Sequence, residues 1–67
     1  MNFKNKHILF VKNLVDDKDV DKISYALSQT KVDFEVLLAS KAVVVYGRND
    51  VVYIAKTTLR EAGYIIE

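Results

Sequence analysis

The chain has no cysteine, no proline and no tryptophan, and only two glycines and one histidine among its 67 residues. Without cysteine there is no disulfide, no thiolate site for zinc or copper and no thiol nucleophile. An excess of one charge is also lacking, since ten Lys and Arg stand against nine Asp and Glu. A dedicated binder of nucleic acid or of an anionic membrane carries a clear basic excess, so charge alone names no partner. Near the N-terminus the apolar run Ile8-Leu9-Phe10-Val11 is stopped by Lys12 and Asn13, too early for the core of a signal peptide or for a membrane span. The expectation is a cytoplasmic chain with no membrane insertion. At this length it forms one domain, residues 1–67, whose small core must pack efficiently or be supported by self-association.

What the sequence does hold is apolar residues from end to end, in two alternating periods. Residues 7–13, "HILFVKN", have the β-branched and aromatic content of a strand, and residues 17–29 place Val20, Ile23 and Leu27 on one helical face. Strands follow at 32–38 and 42–46, joined by Ala39-Ser40-Lys41, a length that suits a hairpin. Beyond Gly47, Asp50 is a candidate cap for a helix over 50–62, Gly63 a candidate left-handed C-terminal cap, and residues 64–67 a short last strand. The order β-α-β-β-α-β is the ferredoxin-like plan. It predicts an α+β sandwich, with a four-stranded antiparallel sheet, two helices on one face and the other face open.

Four aspartates crowd the start of the first helix, at positions 16, 17, 19 and 21. Carboxylate oxygens are hard ligands, and Asp16, Asp17 and Asp19 are the candidates for a weak Ca or Mg site. Asp17-x-Asp19-x-Asp21 imitates the opening of a calcium loop, but Lys22 stands where that loop needs glycine and Ser28 where it needs a bidentate glutamate. Helix capping is the simpler account. An N-cap aspartate satisfies orphan amides, and further acids in the first turn meet the helix dipole, each contributing about 0.3 to 1 kcal/mol. No metal site is therefore expected. His7 has no second histidine to ligate with, and no serine or threonine has a base that the pattern places beside it, so neither a catalytic residue nor an enzyme is expected, and no cofactor.

The loop and helix do carry a resemblance. Val11 to Leu27, "VKNLVDDKDVDKISYAL", is similar in register to the heavy-metal-associated domain of copper chaperones and metal-pumping ATPases, which reads V-x-G-M-x-C-x-x-C-V-x-x-V-x-x-A-L. Leu59-Arg60-Glu61-Ala62-Gly63-Tyr64 resembles that family's I-x-x-A-G-Y ending, and Ala42-x-Val44-x-Tyr46 its third strand. The likeness fails at the chemistry, because Asp16 and Asp19 stand at the two thiolate positions and Asn13 and Leu14 replace the Gly and Met. Hard carboxylates do not hold a soft ion such as Cu(I). The resemblance thus implies a module of heavy-metal transport or homeostasis without its metal site, acting on another protein. The loop residues Leu14, Asp16, Asp17, Asp19 and Tyr64 are its candidate contact surface.

A second resemblance competes. "LFVKNL", residues 9–14, looks like the first-strand motif of the RNA-recognition motif, with Phe10 as its stacking aromatic. Aligning Val44-Val45-Tyr46 to the end of that family's third-strand motif, however, puts Lys41 and Val43 at the positions of the other two stacking aromatics, so nucleic acid is not the expected partner. Strand alternation assigns Leu9, Val11, Ala42, Val44 and Tyr46 to the helices. It sends Ile8, Phe10, Leu37, Val43 and Val45 to the open face, an all-apolar set that marks an interface with another protein or with a second copy of the chain.

Overall fold

The computed structural model describes residues 5–67, so the first four residues of the expected 1–67 domain lie outside the description. The elements are β1 (Lys6–Phe10), α1 (Asp17–Ser28), β2 (Asp33–Leu37), β3 (Ala42–Tyr46) and α2 (Asn49–Glu61). A single 3-10 turn, Leu38–Ser40, joins β2 to β3, and Lys41 reverses the chain in the left-handed region at φ 51°. The sheet is antiparallel with order β1-β3-β2. No helix among the described residues is long and apolar enough to cross a membrane.

Helix ends follow local chemistry. Asp16 is the N-cap of α1 in extended conformation, and its Oδ1 accepts from the amide of Asp19 at 3.1 Å. The cap of α2 is Arg48, with no side-chain hydrogen bond, and Asp50 sits inside the first turn instead of capping it. The backbone makes the turn there unaided: Gly47, at φ 148°, brings Arg48 round so that its carbonyl accepts from Val51 and Val52 at 3.0 and 3.1 Å. At the other end Gly63 is left-handed at φ 96°, its amide reaching Arg60 O at 3.0 Å while Tyr64 N reaches Leu59 O at 2.9 Å. Those two bonds are the Schellman pattern, which satisfies carbonyls the helix leaves open.

The register corrects the expected phase of β3. Leu9 lies opposite Val43 and His7 opposite Val45, while Phe34 and Val36 of β2 flank the same two valines. Residues directly opposite each other share a face, so Val43 and Val45, both fully buried, point with Leu9 toward Ile23, Leu27, Val52, Ala55 and Leu59 of the helices. Ala42, Val44 and Tyr46 take the other face. A strand that reads "AVVVY" carries no alternation of its own to set its phase; pairing with β1 and β2 sets it.

The expected strand at 64–67 is reduced to one bridge, Val11 opposite Ile66. Lys12 N donates to Ile65 O at 2.9 Å and Glu67 N to Phe10 O at 2.8 Å. Toward Tyr64 the ladder stops because the chain turns at Lys12 and Asn13, and the amide of Ile65 bonds to Oδ1 of the Asn13 side chain at 2.9 Å instead of to a strand carbonyl. The sheet is therefore three-stranded, with the C-terminal segment touching the free side of β1.

Candidate functional site

At the acidic loop, the two aspartates at the positions of the resembling family's ligands are engaged in holding the fold. Asp16 caps α1 as described. Asp19, three residues on, turns its Oδ2 back to the amide of Val15 at 3.0 Å, while its Oδ1 accepts from the hydroxyl of Tyr64 at 2.8 Å. The arrangement is a capping box shifted by one residue, with a tyrosine from the far end of the chain added. The Val15 amide above all, with the Tyr64 hydroxyl, holds the Asp19 carboxyl below its ordinary range. Burial, and then the carboxylate it bonds, push the Tyr64 hydroxyl up to about 12. The Nζ of Lys22 lies 5.4 Å from the centroid of the Tyr64 ring, a cation on its face.

The remaining loop residues sort by burial. Leu14 is fully buried and Tyr64 almost so; both are core residues, and neither belongs to a contact surface as expected. Asp16 and Asp17 are exposed, and Val15 is 63% exposed. Among the described residues no three His, Cys, Asp or Glu side chains come together where they could hold a metal ion. His7 is a structural residue, with Nε2 placed 3.1 Å from Gly47 O.

One residue of this region was not singled out by its type. Asn13 donates from Nδ2 to Gly63 O at 3.0 Å and accepts from Ile65 N at 2.9 Å, so a single amide clamps both sides of the α2 C-terminal turn to the loop. The sequence signal for it is a side chain with both a donor and an acceptor at the turn that follows β1.

On the open face, Ile8, Phe10 and Leu37 stand where expected, 51%, 52% and 37% exposed. Val43 and Val45 do not belong there; the register puts Ala42, Val44 and Tyr46 beside those three instead. Three rows cross the face: Lys6, Tyr46, Asp33; then Ile8, Val44, Glu35; then Phe10, Ala42, Leu37. Ala42 and Val44 are buried all the same. The Tyr46 hydroxyl donates to Glu35 at 3.4 Å. Beyond Phe10 a shallow depression of about 220 Å³ opens between Phe10, Lys12, Ser40, Lys41 and Glu67.

No family model matches the chain, and neither the curated proteins nor the solved structures contain a significant match to it.

Proposed function

We propose that the chain is a ferredoxin-like domain of heavy-metal-associated type that carries no thiolate site and serves as an interaction or regulatory module in heavy-metal transport or homeostasis. One observation carries the reading: the loop and the A-G-Y ending, the two stretches that resemble the family, are joined by the bond from Tyr64 to Asp19. The bridge from Val11 to Ile66 supports it further, because it sets the C-terminal segment beside β1, the place of the fourth strand in the ferredoxin-like plan. With Asp16 and Asp19 bonded to amides and to Tyr64, the loop keeps its shape with no ion. It offers Val15, Asp16 and Asp17 as a fixed acidic surface to a basic patch on a partner of metallochaperones.

The runner-up, single-stranded RNA on the open face, has the exposure of Phe10 in its favour. Among the described residues Tyr46 is the other aromatic there, but it pairs with Lys6, four residues along β1 from Phe10, about 13 Å away at strand spacing. Asp33 and Glu35 on the same face repel phosphate.

An amide chemical-shift titration with Cu(I), Zn, Ca and Mg in turn tests the absence of a site. The expected result is no saturable shift at residues 13–21 or Tyr64, and a localised one overturns the reading. The family assignment has its own test in the double variant Asp16→Cys with Asp19→Cys. A heavy-metal-associated loop with its two thiolates restored binds one Cu(I) with sulfur-to-copper absorption; a folded double variant that binds none removes the assignment.

A further inference from the structure

We infer that the depression beside Phe10 binds a small zwitterion with an apolar side chain, of the class of the free aromatic and aliphatic α-amino acids. The site lies at the end of the open face, where three stretches of chain converge: the end of β1, the turn between β2 and β3, and the C-terminal segment. Backbone bonds fix all three. Val11 N donates to Lys41 O at 2.8 Å, Glu67 N to Phe10 O at 2.8 Å and Lys41 N to Leu38 O at 3.0 Å. The floor is therefore in place before any ligand arrives, and a ligand is spared the cost of ordering it.

The lining has the three kinds of group that an amino acid needs. Phe10, 52% exposed, supplies an apolar wall. Lys12 and Lys41 supply cations for a carboxylate, Ser40 a hydroxyl that can donate to the same group, and Glu67 an anion for an ammonium. These groups surround one space of about 220 Å³ without satisfying one another: among the described residues no ion pair or side-chain hydrogen bond engages Lys12, Ser40, Lys41 or Glu67. Glu67 sets the class of ligand. A purely anionic molecule meets a like charge on the rim and a purely cationic one meets two, whereas a zwitterion satisfies both signs. The space is smaller than the roughly 300 to 1,000 Å³ of sites for drug-sized molecules, so the apolar part is a single side chain.

Lys41 adds an argument from the backbone. It is the one non-glycine residue at positive φ among the described residues, at 51°, where glycine would hold the turn at less cost. Residues kept in that region cluster at ligand sites, and here the lysine brings a cation to the rim. Because the charged groups are solvent-exposed, binding is weak, with a dissociation constant on the order of 1 mM. The inference does not rest on the reading of the acidic loop, none of whose residues lines the depression.

Amide chemical-shift titration of the full chain with L-phenylalanine tests it, with phenylpropionate, which lacks the ammonium, and phenethylamine, which lacks the carboxylate, as comparison probes. Expected are saturable shifts at Phe10, Val11, Lys12, Lys41 and Glu67, and affinities at least about fivefold lower for either comparison probe. Lys41→Gly is the most informative variant, because glycine suits the left-handed backbone. It is expected to weaken phenylalanine binding about threefold or more, with a melting temperature no lower than that of the wild type. Glu67→Gln is expected to weaken the binding of phenylalanine and not that of phenylpropionate. The absence of a saturable shift overturns the inference, as do saturable shifts that lie away from the depression. It is equally overturned if phenylpropionate binds as tightly as phenylalanine, which makes the site one for simple anions, or if folded Lys41→Gly binds phenylalanine as the wild type does.

Discussion

The hydroxyl of Tyr64 donates to Oδ1 of Asp19 at 2.8 Å, joining residues 45 positions apart. The contact fixes the start of α1 against the turn that ends α2. Each partner moves the other's titration, and in opposite directions: the carboxyl downward from 3.8 and the phenol from 10.0 up to about 12.

Stability linked to this bond therefore has two limbs. Below about 3.8 the unfolded chain takes up the Asp19 proton while the folded one resists it, so the contribution fades as pH falls toward the lowered folded value. Between about 10 and 12 the unfolded tyrosine loses its proton while the folded one keeps it, so the contribution fades as pH rises. Tyr64→Phe is expected to cost about 1 kcal/mol at neutral pH. The difference from wild type, followed by urea melts across pH, is expected to be widest between about 4 and 10 and to shrink beyond both ends. A pH-independent difference would mean that the ring packs but its hydroxyl does not bond.

At Asp16 the expected behaviour is that of a cap and not of a ligand. Asp16→Asn keeps an oxygen for the amide of Asp19 and is expected to leave the urea midpoint nearly unchanged, whereas Asp16→Ala removes it and costs about 1 kcal/mol. Calcium or magnesium at millimolar level should shift neither midpoint.

Much of the architecture was legible because the pattern was strong where the elements are. The expected helices at 17–29 and 50–62 form as Asp17–Ser28 and Asn49–Glu61, and the strand at 42–46 forms as Ala42–Tyr46. The faces of β3 were not legible, since five apolar residues in a row satisfy either phase. The shortened last strand was hidden for another reason: its hydrogen bonds are taken over by the side chain of Asn13, a long-range choice that no local pattern records. At the loop, the crowding of aspartates at a helix start pointed to capping, and Asp16 and Asp19 do bond amides there; that Asp19 also anchors Tyr64 depends on where α2 delivers its C-terminal turn.

The corrected faces give a direct contrast. Val43 is fully buried among the helices, and Val43→Ala is expected to cost roughly 2 kcal/mol from lost burial and the cavity left behind. Ile8→Ala, on the open face and half exposed, is expected to cost less than about 1 kcal/mol in the monomer. Equal effects at the two positions would contradict the register of β1 with β3.

The two glycines are both at positive φ but differ in what surrounds them. A Cβ on Gly63 meets nothing within 4 Å, so Gly63→Ala carries only the cost of the left-handed backbone, about 1 kcal/mol. On Gly47 the added carbon comes to 3.0 Å from Cβ and Cγ1 of Val51, which α2 holds in place. Gly47→Ala should therefore be the more damaging of the two, with the larger drop in melting temperature.

Asn13 offers the sharpest test of how the loop is held, because its amide donates to Gly63 O and accepts from Ile65 N at once. Asn13→Ala gives up both bonds and is expected to cost about 1 to 2 kcal/mol, with faster hydrogen exchange at the Ile65 amide. Asn13→Asp keeps the acceptor but sets a carboxylate oxygen against the Gly63 carbonyl, two acceptors with no proton between them. The folded form of that variant favours the protonated acid, which can donate to Gly63 O, so its folded pKa lies above the unfolded one. Its stability relative to Asn13→Ala is therefore highest below the unfolded aspartate value of about 4 and is lost as pH rises past the folded one. Crossing curves for the two variants in urea melts at acid and neutral pH are the expected outcome. Parallel curves would mean that the donor half of the clamp contributes nothing and that the acceptor alone holds the C-terminal segment to the loop.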